Sequence, residues 1–295
     1  MIKIVVDSTA YLEKDFINLN DIRVVPIKIF INGRDYKETE GLSVEEFYKY
    51  LLNVSDFPKT SQPSVSDFIE AYRGEIEKGN SVVSIHISEK VSGTINSARL
   101  AIETLKTDRI KIIDSKSSIY AIRYLVEHAL DLIKHGFDFT QVYRDTLEVV
   151  HRFKDRFALN EIKYLGASGR IRKEIARIGS ILSVKPVFSF TDGAIKLENV
   201  FRSFNKAKDY LERFIMGTLM KSGIEKISVM FGMNKEEAIS FSSKIEALTS
   251  IKPDLIQVGC AIGNYAGPEW LGVGILGRKD ESHRIFKEEL QIVSY

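Results

Sequence analysis

The feature that most restricts the fold is the alternation of short β-branched runs with helical periodicities in the first half of the chain. Four runs predict strands, at residues 2–6, 24–31, 81–87 and 110–113. Between them apolar residues recur every three or four positions, as in the stripe of Val44, Phe47 and Leu51. Strands that alternate with helices over short connections favour a parallel sheet covered on both faces. We therefore predict an N-terminal parallel-sheet α/β domain over residues 1–155.

The second half is less regular and predicts a mixed α+β domain over residues 156–295. Its strand-like runs lie at residues 187–190, 195–200, 227–231 and 254–262. Asp192-Gly193 between the first two runs is typical of a hairpin turn. Helical stripes surround this hairpin, one of them through Ala238, Phe241 and Ile245. The predicted class is thus α/β, and a length of 295 residues fits two domains of ordinary size.

Charge and cysteine content exclude several classes of protein. Lysine and arginine number 42 against 40 aspartates and glutamates, so nothing favours nucleic acid or an anionic membrane as a partner. The single cysteine, Cys260, excludes an intrachain disulfide and a four-cysteine zinc site. No apolar run approaches the length of a membrane span, and Asp7 interrupts the N-terminal apolar run too early for a signal peptide. We expect a cytoplasmic protein without stable membrane insertion.

Polar residues follow three of the predicted strands in the first domain. These segments are Asp7-Ser8-Thr9, Ser92-Gly93-Thr94 and Asp114-Ser115. The carboxyl ends of parallel strands face one ligand crevice, so the segments predict an anion site at that edge. Each segment also precedes a predicted helix, and for any one of them alone simple N-capping is the favoured explanation. The occurrence of several such segments at one edge favours the anion site.

Two sequence motifs resemble a dinucleotide site and a nucleophile elbow, but the sequence supports neither function. Residues 272–277 match G-x-G-x-x-G, but only 18 residues follow and the pattern alternates like a strand, so a glycine-rich strand is favoured over a dinucleotide site. Residues 166–170 lack the last glycine of a nucleophile elbow.

The five histidines have no metal-ligand spacing, and His86, inside a predicted strand, is interpreted as structural.

Several polar motifs recur together in an order that carries a family resemblance. They are Thr60-Ser61-Gln62-Pro63-Ser64, Ser92-Gly93-Thr94, Ser168-Gly169-Arg170-Ile171 and Lys185-Pro186. In this order and spacing they resemble the DegV family of bacterial fatty-acid-binding proteins. The resemblance extends over essentially the whole chain.

The resemblance implies a carrier that holds one long-chain fatty acid in a tunnel between its two domains. It implies a separate fatty acid kinase as partner, which phosphorylates the carboxylate, while the carrier needs no cofactor and catalyses nothing. The implied carboxylate contacts are Thr60, Ser92 and Asn264, the last in place of a family histidine, although an asparagine cannot become cationic. Further implied contacts with the ligand or the kinase are Ser61, Gly93, Arg170 and Arg202.

Two other functions stay open at this stage. One is a small hydrolase or phosphotransferase that uses Asp7, Ser92 and Asp114, although no base for Ser92 is evident in the local sequence. The other is an interaction or regulatory protein with a vestigial cavity. The carrier hypothesis requires Thr60 and Ser92 to lie close together beside an elongated hollow. The sequence does not specify the preferred acyl chain length.

Overall fold

The computed structural model describes residues 1–38, 40–53, 57–166, 168–171 and 183–279. The strands are β1 (Ile2–Asp7), β2 (Arg23–Val25), β3 (Lys28–Ile31), β4 (Arg34–Lys37), β5 (Lys59–Ser61), β6 (Ser81–His86), β7 (Ile110–Asp114), β8 (Phe153–Leu159), β9 (Lys185–Thr191), β10 (Ala194–Phe201), β11 (Ile224–Phe231), β12 (Asp254–Gln257) and β13 (Trp270–Gly277). The helices are α1 (Lys14–Leu19), α2 (Val44–Asn53), α3 (Val65–Glu77), α4 (Thr94–Leu105), α5 (Tyr120–Lys134), α6 (Phe139–Val149), α7 (Lys163–Gly166), α8 (Phe204–Ser222), α9 (Lys235–Thr249) and α10 (Cys260–Ala266). None of the helices in these ranges is long and apolar enough to cross a membrane.

The predicted N-terminal parallel sheet is confirmed. Its four strands have the order β2-β1-β6-β7, and every neighbouring pair is parallel. Valine and isoleucine fill the strands because β-branched side chains suit a pleated surface that is buried on both faces. The carboxyl ends of all four strands therefore lie along one edge, where the polar segments identified in the sequence come together.

One predicted strand is wrong, because the run at residues 24–31 divides at Pro26. Its first part becomes β2 of the parallel sheet, and its second part becomes β3 of a separate antiparallel sheet with the order β4-β3-β5. Proline has no N–H to give to a ladder and cannot continue a strand inside a sheet. Thr60 on β5 pairs with Ile29, so this small sheet positions the first motif of the family resemblance.

The second domain contains a six-stranded mixed sheet with the order β10-β9-β8-β13-β11-β12, and the predicted fold class is confirmed. The hairpin at Asp192-Gly193 is present, with both residues at positive φ. The glycine-rich segment is β13, as predicted, in the interior of the sheet. The run at residues 254–262 is wrong as one strand, because β12 ends at Gln257 and α10 begins at Cys260.

The chain enters the six-stranded sheet at β8, which contains the predicted boundary between residues 155 and 156. Phe153 is the first residue of this strand. The boundary itself stays a prediction.

The six-stranded sheet has two different faces because successive side chains point in opposite directions. Helices α8 and α9 cover one face, where Val229, Leu271 and Val273 pack among them. The opposite face carries Phe188 and Met230 and shares one core cluster with the first domain. Among the described residues, the largest core cluster therefore includes side chains of both domains.

Helix α5 lies at the centre of this contact, against β13. The ring of Tyr120 sits directly over Gly274, where an added Cβ would lie 2.2 Å from the ring carbon Cγ. Because glycine has no side chain, the Tyr120 ring occupies the space that the Cβ of any other residue type at position 274 would fill. This explains one glycine of the G-x-G pattern without any nucleotide.

Substitution of this glycine provides a test of the domain contact. Gly274→Ala should lower the free energy of unfolding by about 2 kcal/mol or more, because a Cβ overpacks a filled site. Gly217→Ala in α8 is the matched control, since nothing lies within 4 Å of its added Cβ. It should be neutral or stabilise the helix by about 0.5–1 kcal/mol. Urea denaturation of both variants measures the difference, and equal stabilities would contradict the packing described here.

Candidate functional site

A cavity lies between the carboxyl edge of the parallel sheet and the face of the six-stranded sheet that α8 and α9 leave free. Its empty space, including the part open to solvent, is about 900 Å³, within the usual range for ligand pockets. Ile87 lines the strand-edge side, Phe157 and Trp270 line the sheet side, and Ile262 of α10 lines a third side. The walls are mostly apolar, as an acyl chain requires.

Three of the seven candidate site residues line this cavity together. They are Thr60 on β5, Ser92 in the loop before α4, and Arg170. Thr60 Oγ1 is hydrogen-bonded to the Tyr265 hydroxyl, and the Arg170 guanidinium lies over the Tyr265 ring, 4.7 Å from its centre. We call Thr60, Ser92, Arg170 and Tyr265 the mouth, because Arg170 is exposed and the others are half-buried. Their contact with a carboxylate stays a prediction.

Two motifs of the family resemblance meet through Gly93. A Cβ on this glycine would lie 1.8 Å from Gln62 Oε1, so the end of the Gln62 side chain packs directly against the loop before α4. Gln62 Nε2 also donates to Ser97 Oγ at 3.0 Å, which ties the segment after β5 to α4. Gly93 and Ser61 are not among the residues that line the cavity. Gly93 is therefore next to the mouth through its contact with Gln62, two residues after Thr60.

Two of the predicted site residues, Asn264 and Arg202, are not part of the cavity wall. Asn264 is buried in α10, and its Nδ2 donates to the Pro58 carbonyl at 2.7 Å. Arg202 is exposed at the end of β10. Neither residue lines the cavity. The geometry gives Asn264 a role in holding the segment before β5, and the predicted carboxylate contact has no support from the cavity lining.

Sequence reasoning missed the residues that fix α10. Glu38, just after β4, accepts hydrogen bonds from Ala261 N at 2.6 Å, from the Tyr11 hydroxyl at 2.8 Å and from Ser8 Oγ. The first N–H groups of a helix lack partners, and this carboxylate satisfies one of them. Burial raises the pKa of Glu38. No local pattern could reveal the contact, since Glu38 and Ala261 are 223 positions apart.

Sequence reasoning also missed a carboxyl group in the cavity wall. Asp155 on β8 lines the cavity and is 4% exposed. It accepts hydrogen bonds from Phe190 N at 2.7 Å, from Ser117 Oγ at 3.0 Å and from the Tyr120 hydroxyl at 3.2 Å. Burial raises its pKa from 3.8 to about 6. The sequence signal for this residue was the alternation along β8, which places Asp155 on the same face of the strand as the apolar residues Phe157 and Leu159.

The residues of the alternative enzyme do not form one site. Asp7 is buried beside His86, Asp114 pairs with Lys116 Nζ at 2.7 Å, and Ser92 Oγ lies 2.8 Å from the Thr94 hydroxyl. Each side chain thus has a partner of its own. Among the described residues no group of three or more histidines, cysteines, aspartates or glutamates is placed to hold a metal ion.

A serine–histidine–aspartate chain does exist, within the parallel sheet. Ser84 Oγ lies 2.7 Å from His86 Nε2, and His86 Nδ1 lies 3.1 Å from Asp7 Oδ2. Ser84 and His86 are both 0% exposed, and the Tyr72 hydroxyl occupies the remaining side of Ser84 at 2.8 Å. No substrate reaches this serine, so the chain holds β1, β6 and α3 together. The interpretation of His86 as structural is confirmed.

Comparison with known proteins identifies relatives over nearly the whole chain. A family profile described as "Uncharacterised protein, DegV family" matches residues 1–278. A DegV domain-containing protein of Caldanaerobacter subterraneus is 31% identical over 277 residues, which cover 92% of this chain and 97% of the relative. Another from Staphylococcus aureus is 31% identical over 226 residues, 77% of this chain and 80% of the relative.

Comparison with solved structures also identifies proteins that are similar to nearly the whole chain. A fatty-acid-binding DegV family protein from Thermus thermophilus superposes with a TM-score of 0.85 at 26% identity, covering 94% of this chain and 99% of that one. A stearic-acid-binding protein from Eubacterium ventriosum superposes with a TM-score of 0.86 at 28% identity, covering 96% of this chain and 100% of that one. DegV of Bacillus subtilis, described as a fatty acid binding protein, has a TM-score of 0.85 at 26% identity, covering 94% of this chain and 99% of that one.

The carboxyl group in the cavity wall makes stability depend on pH. Because the pKa of Asp155 is higher in the folded protein, the folded state binds the proton more tightly than the unfolded state. The contribution of Asp155 to the free energy of unfolding therefore falls as the pH rises from about 4 to about 6, and is constant above that. Asp155→Asn should remove this dependence.

We expect the free energy of unfolding of Asp155→Asn relative to that of the unmodified protein to rise by about 2 kcal/mol between pH 4 and pH 7. Urea denaturation at several pH values measures this difference. Asp192→Asn, which changes an exposed turn residue, is the control and should show a much smaller change. If the difference in free energy of unfolding between Asp155→Asn and the unmodified protein does not vary with pH, the raised pKa of Asp155 is contradicted.

Proposed function

This chain belongs to the DegV family, and we propose that it binds one long-chain fatty acid in the cavity between its two domains. The observation that carries the proposal is the common position of Thr60 and Ser92 on the wall of one mostly apolar cavity. The relatives from Thermus thermophilus and Eubacterium ventriosum, described as binding fatty acids, support it.

The acyl tail provides most of the binding free energy in this proposal. Burying about 14 methylenes at about 0.8 kcal/mol each gives on the order of 11 kcal/mol before the cost of association. Phe157, Leu165 and Trp270 are among the side chains that supply the apolar surface. The tail therefore sets the affinity, and the head group sets the orientation.

The carboxylate occupies the mouth in this proposal. A buried carboxylate needs hydrogen-bond donors, and the hydroxyls of Thr60 and Ser92 are of the right kind. Ser92 precedes α4, so the partial positive charge at the start of that helix adds to the attraction. Arg170 is at the same mouth and supplies a full positive charge.

We further propose that the protein itself is not a catalyst and that a separate fatty acid kinase phosphorylates the carboxylate. The mouth supports this, because Ser92 contacts another hydroxyl and has no base beside it among the described residues. Arg170 and Arg202 are both exposed and available to a partner. The expected cytoplasmic location stays a prediction.

The role of Ser92 is tested by Ser92→Ala. Loss of one charge-assisted donor should weaken fatty acid binding by roughly 1–3 kcal/mol without abolishing it. Isothermal titration of the delipidated protein with palmitic acid measures the change. Ser242→Ala is the control, because Ser242 is a buried serine of α9 on the far side of the six-stranded sheet. Unchanged affinity in Ser92→Ala would remove Ser92 from the head-group site.

The role of Arg202 is tested separately. Arg202→Ala should retain its fatty acid but support less acyl phosphate formation when a fatty acid kinase and ATP are added. Arg213→Ala, which removes an exposed arginine of α8, is the control and should behave like the unmodified protein. Loss of lipid from Arg202→Ala, with normal phosphorylation per bound lipid, would contradict a role in kinase contact.

A further inference from the structure

One tyrosine of the mouth contacts two of the residues that the proposed function gives to the carboxylate. Tyr265, half-buried on α10, lines the cavity beside Thr60 and Arg170. Its hydroxyl is hydrogen-bonded to Thr60 Oγ1, and the Cζ atom of the Arg170 guanidinium lies 4.7 Å from the centre of its ring. The side chain therefore connects the small antiparallel sheet, through Thr60, to the arginine on the other side of the mouth.

The ring of Tyr265 is fixed at both of its ends. At one end the hydroxyl is bonded to Thr60. At the other end the backbone belongs to α10, which Glu38 and Asn264 attach to the rest of the molecule. The ring consequently presents one face to Arg170 in a defined place, and the face of an aromatic ring attracts a cation.

Arg170 has few other contacts that could orient it. Its Nη1 donates to the Ser168 carbonyl at 2.8 Å, and its Nε donates to the Val91 carbonyl at 3.4 Å, which is long for a hydrogen bond. Both acceptors are uncharged, so no carboxylate among the described residues neutralises the guanidinium. Three of its five N–H donors are left for a ligand. A long, exposed side chain loses conformational freedom when it binds, and a contact that already orients it reduces this cost.

We propose that Tyr265 is a positioning residue of the mouth, and that its ring holds the Arg170 guanidinium where it receives the fatty acid carboxylate. The inference rests on the proposed function and adds to it a residue that acts through Arg170. Tyrosine suits this role because its ring face attracts the cation while its hydroxyl reaches Thr60. A leucine at this position would also give an apolar wall but would not attract the guanidinium.

The test compares palmitic acid with 1-hexadecanol, which has a tail of the same length and no charge, by isothermal titration of the delipidated protein. In Tyr265→Leu the affinity for the acid relative to the alcohol should fall roughly fivefold, the size of effect that loss of a cation–π contact produces. Tyr265→Phe keeps the ring and should keep this ratio to within about twofold. Tyr143→Leu is the control, because it removes a ring 4.9 Å from Lys111 Nζ that does not line the cavity, and the ratio should not change.

Two substitutions of the arginine show whether Tyr265 acts through it. In the Arg170→Gln background, Tyr265→Leu should cause no further fall in the ratio of the two affinities. Arg170→Lys repeats the test without a change in the core, because Arg170 is exposed. Lysine keeps the charge but has no planar group to stack on the ring, so the ratio should fall about as far as in Tyr265→Leu.

Several results would overturn the inference and leave the proposed function standing. Equal losses of affinity for the acid and the alcohol in Tyr265→Leu would make the residue part of the apolar lining only. A fall in the ratio that is just as large in the Arg170→Gln background would show that Tyr265 does not act through the arginine. An unchanged ratio in Arg170→Lys would show that stacking on the ring is not needed. Failure of the unmodified protein to bind palmitic acid would instead refute the proposed function.

Discussion

The fit of the Tyr120 ring over Gly274 is the contact on which the rest of the structure depends. It brings α5, which follows the last parallel strand, onto the centre of the six-stranded sheet. Tyr120 also lines the cavity, so this contact forms part of the cavity wall. The Tyr120 hydroxyl then reaches Asp155, so the same side chain provides apolar packing against β13 and a hydrogen bond to β8.

Buried carboxylates hold the surroundings of the cavity in place. Asp7 organises the ends of β1 and β6, Glu38 holds α10, and Asp155 joins β8 to the start of α5. Burying a charge is unfavourable unless hydrogen bonds compensate for it, and each of these groups receives at least three. Between these anchors the walls are apolar, so polar contacts set the shape of the cavity and apolar ones its lining.

The sequence predicted the parts of the molecule that local patterns determine. The parallel strands, the hairpin at Asp192-Gly193 and the glycine-rich strand follow from periodicity and turn chemistry. The division of the predicted strand at residues 24–31 into β2 and β3 was missed, because a run of β-branched residues has the same pattern whether its residues belong to one sheet or to two. Thr60 and Ser92 came from the family resemblance, and their shared cavity depends on pairings between distant strands. Glu38 and Asp155 act through partners that no spacing rule connects to them.

Helix α10 has only seven residues, too few to persist as a helix without support. It is held by Glu38 and Tyr11, which bond to the N–H groups of Ala261 and Ile262, and by Asn264, which donates to the Pro58 carbonyl. Displacing α10 would break all of these hydrogen bonds together and leave the Glu38 carboxylate without its helix donor in an apolar environment. This side of the cavity therefore behaves as a rigid frame, and under the proposed function an acyl chain would enter or leave past one of the other walls.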